Sequence, residues 1–262
     1  KRWASLLTFV AMFDDTLHFL ANHLEAPDWA RLGEHLPVEW IEQALASSDA
    51  FSIRHRRLPA EQVVWLMVAL ALYRHKSIGE VLDDLGLAVP TEHTPFVSKS
   101  AAAQARQRVG PEPLKWLFDH SAANWVAQDK RAYLFKGLQL FAMDGTTLRT
   151  HDTEKNREHF GAQGYAGGTV ASYPQVRGVT LTALPTHLVH SAAFGPYSTN
   201  EMLYAKQLVE AIPDESLTVF DRGFLSAEIL CTLTASGAER HFLIPAKSNT
   251  KWDVLEGSEH DA

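Results

Sequence analysis

Across 262 residues the sequence carries a single cysteine, no apolar run long enough to span a membrane and no overall excess of positive charge. Each scarcity excludes something. A lone Cys231 rules out an internal disulfide framework; lying in an apolar stretch, it is expected to be a buried thiol, and it favours a reduced, cytoplasmic compartment. The longest apolar run, Val63 to Tyr73, reaches about half of the roughly twenty residues a spanning helix needs, so no membrane partner is expected. Lys1, Arg2 and the apolar residues to Phe13 resemble the start of a secretory signal, but Asp14 and Asp15 follow at once without a small-residue cleavage site. Lacking an initiator methionine, the sequence is expected to be a piece of a longer protein.

Several catalytic signatures are missing as well. There is no phosphate-binding lysine loop, dinucleotide glycine fingerprint, paired CxxC or HExxH, and no nucleophile elbow of a serine hydrolase. The 13 histidines include pairs such as His151 with His159 and His187 with His190, none with a zinc-ligand spacing.

What is present is a globular chain, 46% apolar, with an uneven charge distribution. Its net charge is -7, yet from Phe51 to Lys136 there are 12 basic against 8 acidic residues, and from Gly137 onward 9 against 15. A basic block beside an acidic one fits DNA held by one region while another gathers carboxylates around metal ions; solvated charge asymmetry is the alternative.

Helical periodicity runs through Leu36 to Leu45, Pro59 to Arg74, Ser77 to Leu85, Ser98 to Val109 and Pro111 to Val126. Pro37, Pro59 and Pro111 stand in first turns, Ser77 and Ser98 are natural caps, and Gly86 and Gly110 stand where helices stop. After Lys136 the period changes to short β-rich runs: Leu138 to Met143, Val176 to Ala183, Leu188 to Phe194, Leu217 to Phe220 and His241 to Pro245. Helical stretches Asn200 to Ile212 and Ser226 to Ser236 interrupt them. The expected fold is thus a helical N-terminal domain, residues 1–136, followed by an α/β domain, residues 137–262, with an early meander and later crossovers. Between Asp152 and Pro174 a polar stretch with Gly161, Gly164, Gly167 and Gly168 is long for a structureless connection.

Two aspartates carry the chemistry. Asp144 closes LQLFAMD and Asp221 closes LTVFD, both at expected strand ends. Reactive groups in open α/β sheets gather outside the carboxyl ends of strands, and a meander sets the fourth strand beside the first in the simplest layout, so the two acids can converge. Paired carboxylates suit hard divalent cations, and two such ions roughly 3.5 to 4 Å apart would activate the attacking oxygen and stabilise the leaving oxygen of a phosphodiester. The alternative is that either aspartate caps a turn, because Asp144-Gly145 and Asp221-Arg222-Gly223 both read as turns.

Segments FAMDGTTLRT (Phe141 to Thr150), SYPQVR (Ser172 to Arg177), FGPY (Phe194 to Tyr197) and FDRGF (Phe220 to Phe224) resemble the insertion-sequence-four family of DDE transposases. Residues Leu36 to Leu85, with their RHRRLPAEQVVWLMVALALYRHKSIGEVL core, are similar to the N-terminal domain of that family, so the likeness covers most of the chain. It implies a ribonuclease-H-like mixed sheet with flanking helices, Asp144 as the first metal-binding acid and Asp221 as the second. Two Mg2+ or Mn2+ ions are implied, with double-stranded DNA at transposon ends and target as substrate and a homodimer in a synaptic complex. The compartment it implies is the bacterial cytoplasm, at the nucleoid when DNA is bound. A third acid, a glutamate in a Tyr, Arg, Glu, Lys signature, is expected on a later helix; Glu228, Glu239, Glu256 and Glu259 do not fit its spacing, and the catalytic domain is expected to be incomplete.

For DNA contact, the Ser77 to Leu85 and Ser98 to Val109 helices form a helix-turn-helix-like pair, with Ser98, Ser100, Gln104, Arg106, Gln107 and Arg108 as polar contacts or, alternatively, a solvated face. Arg54, His55, Arg56 and Arg57 are expected to meet phosphates or to solubilise a loop. Arg222 is placed for a phosphate or for an ion pair with a neighbouring carboxylate. Besides a strand-joining transposase, the sequence leaves open a noncatalytic DNA-binding fragment that interferes with an intact enzyme, or a metal-dependent nuclease.

Overall fold

The structure is a computed structural model that describes residues 35–48, 58–86, 97–128, 134–164, 168 and 170–250. The chain divides into two compact units, Lys1–Ser121 and Ala122–Ala262.

The first unit is helical: α1 (Val38–Ser47), α2 (Ala60–Leu72), α3 (Ile78–Asp84), α4 (Lys99–Val109) and the start of α5 (Glu112–Gln128). Local chemistry sets the helix starts. Ser77 and Glu80 form a reciprocal capping box at α3, with the Ser77 amide donating to Glu80 Oε2 at 2.7 Å, and Ser98 Oγ accepts from the Ala101 amide at 3.2 Å at α4. Helix α2 buries Val63, Val64, Leu66 and Ala69, and α3 and α4 each pack against it. The resulting core joins Leu66, Ala69 and Tyr73 to Val81 and Leu82 of α3 and to Ala102 and Ala105 of α4. Small residues on α4 let it approach α2 closely and leave its other faces to solvent.

The second unit is built on a six-stranded mixed sheet in the order β4-β3-β2-β5-β6, with β1 paired to β2. The strands are β1 (Leu134–Phe135), β2 (Leu138–Arg149), β3 (Gln175–Ala183), β4 (Val189–Pro196), β5 (Ser216–Phe220) and β6 (Arg240–Leu243). β2, β3 and β4 form the expected antiparallel meander; β5 then returns beside β2 in parallel, and β6 beside β5. Helices α7 (Glu201–Leu208) and α8 (Ala227–Ala235) make the crossovers. Both cover one sheet face, where Phe141, Met143, Val179, Leu181 and Phe220 meet Tyr204, Leu208, Ile229 and Leu233. Each such large side chain withdrawn from water contributes about 1.5 to 3 kcal/mol. The unit is α+β with the mixed sheet and flanking helices of a ribonuclease-H-like domain.

Four details depart from expectation. Strand β2 continues to Arg149, because β3 pairs with it over the whole length from Phe141 to Arg149; Asp144-Gly145 is therefore mid-strand and not a turn. Residues 152 to 174 contain α6 (Glu154–Phe160), which buries none of its residues and so left no apolar period. Strand β1 was not expected at all: Leu134 and Phe135 pair with Gln139 and Leu138 across a turn at Lys136 and Gly137, both at positive φ, where lysine replaces the usual asparagine signal. Cys231 is exposed, not buried. Helix α8 turns Ile229 and Leu233 into the core, and a residue two positions from each, at 100° per residue, faces outward.

Candidate active site

The ladder between β2 and β5 ends with Met143 opposite Phe220. Asp144 is the next residue on β2, and Asp221 follows the end of β5 with an extended backbone, φ -72 and ψ 155, so both acids stand just past the last rung of the parallel ladder. Neighbouring strands lie about 4.8 Å apart, a separation that two carboxylates can close around a shared cation. Side chains alternate along a strand: Met143 and Phe220 point into the core, and the aspartates point to the other face, where both are exposed.

Among the described residues each carboxylate accepts one hydrogen bond, from a backbone amide nearby. Asp144 Oδ1 accepts from Gly145 at 2.8 Å and Asp221 Oδ2 accepts from Gly223 at 3.4 Å, the latter capping a short 3-10 turn, Arg222–Phe224. Asp221 thus does cap a turn, while its second oxygen remains available. Two hard oxygen donors on rigid strands fit magnesium or manganese, which are usually held by one or two protein carboxylates together with substrate phosphates. Among the described residues no group of three His, Cys, Asp or Glu side chains could hold a metal ion.

The later glutamates are engaged elsewhere. Glu228 pairs with Lys206 at 2.5 Å and Glu239 lies 3.2 Å from His241, while Glu256 and Glu259 fall outside the described residues. A carboxylate that sequence reasoning missed is Glu201, at the start of α7. It lies beneath Gly145 on the core side of the sheet, so close that a side chain at position 145 would overlap it. Any side chain at 145 would require the flexible end of Glu201 to move aside. Only tertiary packing reveals this.

Arg222 is exposed and takes part in no ion pair among the described residues. On α4, Ser100, Gln104, Arg106 and Arg108 are all exposed, as are Lys99 and Gln107. Arg54, Arg56 and Arg57 lie outside the described residues, as does the connection between α3 and α4, so the turn of the expected helix-turn-helix is not described. No helix among the described residues is long and apolar enough to cross a membrane.

Comparison with known proteins adds two family matches: the insertion element 4 transposase N-terminal domain over residues 27–119 and the transposase DDE domain over residues 136–259. InsZ of Escherichia coli (strain K12) is 36% identical over 247 residues, which are 94% of this chain and 81% of that protein. The transposase InsG for insertion sequence element IS4, from the same organism, is 37% identical over 224 residues, 86% of this chain. The chain thus spans about half the length of InsG, 50%. A cryo-EM structure of the piggyBac transposase synaptic complex with hairpin DNA aligns with a TM-score of 0.39 and 13% identity, over 86% of this chain and 51% of that one. The matched residues and identities show that the chain belongs to the insertion element 4 family of transposases, with that family's N-terminal domain followed by its DDE domain.

Proposed function

We propose that the chain works in metal-dependent DNA strand cleavage and strand transfer, with Asp144 and Asp221 as the paired acids. The observation that supports this reading is the register: β2 and β5 pair in parallel up to Met143 and Phe220, and the residue that follows each of these in the chain is an exposed aspartate. Divalent ions bound there would neutralise phosphate charge and lower the barrier to attack by water or by a 3'-hydroxyl on a phosphodiester.

The chain's own part is positioning. Backbone pairing on β2 and the turn after β5 fix the two carboxylates without a flexible loop, and Arg222, next to Asp221, reaches a phosphate at the same corner. The exposed Ser100, Gln104, Arg106 and Arg108 of α4, with Arg54, Arg56 and Arg57, are proposed to hold the flanking duplex. Catalysis of this kind needs no covalent enzyme intermediate, because placement and charge neutralisation supply most of the rate enhancement.

A second reading, a DNA-binding chain without catalysis, is favoured by one observation: no third metal-binding side chain accompanies the pair among the described residues. One experiment separates them. Mn2+ is titrated into the chain and its signal followed by electron paramagnetic resonance, and in parallel a labelled duplex carrying the element's ends is incubated with Mg2+. Asp144→Asn or Asp221→Asn is expected to abolish the tight Mn2+ signal and at least about a hundredfold of any cleavage. Full activity in either variant overturns the assignment, and DNA binding without Mn2+ uptake or cleavage selects the second reading.

A further inference from the structure

We infer that Arg149 and Arg177 form a phosphate-binding site for duplex DNA on the second unit, separate from the acid corner and from the basic residues of the first unit. The inference rests on DNA being the substrate, as proposed above. Beyond Met143, strand β2 has no β5 neighbour, and Thr146, Thr147, Leu148 and Arg149 are all exposed, so β2 and β3 continue as an arm past the core. On that arm Thr147 pairs with Arg177 and Arg149 with Gln175, which sets both arginines on the same face of neighbouring strands.

Their surroundings are unlike those of Arg157 and Arg240. Arg157 is held by Asp152, and Arg240 by Asp214 at 2.8 Å. Arg149 instead lies over the ring of Tyr173 at 4.2 Å and Arg177 over the ring of Tyr197 at 4.0 Å, with no carboxylate partner for either among the described residues. Arg177 donates one N–H to the Thr199 carbonyl at 3.1 Å, and the Arg149 side chain makes no hydrogen bond among the described residues. A guanidinium lying over an aromatic ring keeps N–H groups at its edge, and those not already donated can meet a phosphate oxygen.

By strand alternation Arg149 and Arg177 lie on the Met143 face of the sheet, opposite the face that carries Asp144, so the pair is distinct from the acid corner. From residue 137 onward acidic residues outnumber basic ones 15 to 9, so a unit of this composition that approaches a polyanion needs cations that are not already neutralised by its own carboxylates.

The test measures binding of the full chain to a fluorescein-labelled random-sequence duplex by anisotropy, across a salt series, with circular dichroism to verify folding. Arg149→Gln with Arg177→Gln is expected to weaken binding about tenfold and to reduce the slope of log affinity against log salt by about 2. Arg149→Lys, which keeps the charge and loses the planar fork, should fall between. Because Arg177 also contacts Thr199, Arg149→Gln alone serves as the variant safe for folding, with an expected loss of about one unit of slope. Equal slopes for wild type and a folded Arg149→Gln variant overturn this site and leave the substrate assignment standing. Absence of duplex binding by the wild-type chain overturns both, and equal competition by poly-glutamate shows that no phosphate is recognised and overturns the site.

Discussion

Strand β2 is two regions in one element. From Gln139 to Met143 it pairs with β5 on one edge and with β1, then β3 from Phe141, on the other, and every second residue is buried; from Asp144 to Arg149 it keeps β3 but has no β5, and nearly every residue is exposed. The backbone is the same on both sides of that boundary. What changes is the neighbour: losing β5 removes the crossover helices' reason to cover the strand, and the uncovered half is free to carry polar and charged groups. The first of these is Asp144. A rigid backbone paired on one side and open on the other is a suitable support for a reactive acid, since the strand's hydrogen bonds fix the residue without burying it.

The largest effect expected from this division is in stability. Phe141 is 1% exposed and Leu148 is 56% exposed, seven residues apart on one strand. Phe141→Ala should cost about 3 to 5 kcal/mol by removing packing from the sheet core, whereas Leu148→Ala should stay within about 0.5 kcal/mol. Urea unfolding followed by circular dichroism measures both. Comparable losses at the two sites would mean that the outer half of β2 is covered after all, and the comparison would fail.

A smaller effect is expected at the boundary itself. Gly145 faces the core side, and its missing side chain leaves room for the Glu201 carboxylate. Gly145→Val should cost about 1 to 2 kcal/mol, because the new side chain must displace that group. The obstacle is the end of a flexible side chain, so Glu201→Ala in the same protein should recover most of the loss, a coupling read from a double-mutant cycle. Additive losses would place the strain in the backbone of β2 instead.

Much of this was legible beforehand, for reasons that follow from burial. The β3 and β5 runs showed themselves because their residues alternate against a core, and Ser77 and Ser98 because capping is local chemistry. The two acids were found because each follows an apolar strand directly. The outer half of β2 was invisible, since no apolar alternation marks residues exposed on both faces, and α6 was missed on the same ground. Cys231 was misjudged because an apolar neighbourhood in sequence does not say which side of a helix a residue takes. Glu201 beneath Gly145, and the tyrosine rings beneath Arg149 and Arg177, depend on contacts between distant segments that no local pattern encodes.

The smallest effect belongs to the inner half and is a matter of pH. The His190 ring packs against Phe141, centroids 5.6 Å apart, with Nε2 3.2 Å from the Ala211 carbonyl and Nδ1 buried without a hydrogen-bond partner. Burial pushes its pKa below the ordinary value of 6.5, and the Ala211 hydrogen bond opposes that only partly. In the unfolded chain the same ring takes up its proton near 6.5, so below that pH the unfolded state binds more protons than the folded one. The stability associated with His190 is therefore complete above pH 6.5 and declines as the pH falls through the interval between the unfolded and folded values. Urea midpoints measured from pH 7.5 down to about 5 should decline in the wild type and decline less steeply in His190→Leu, whatever the variant's absolute stability. Identical slopes would show that the ring is already solvated, and the burial of the inner half of β2 would have to be redrawn.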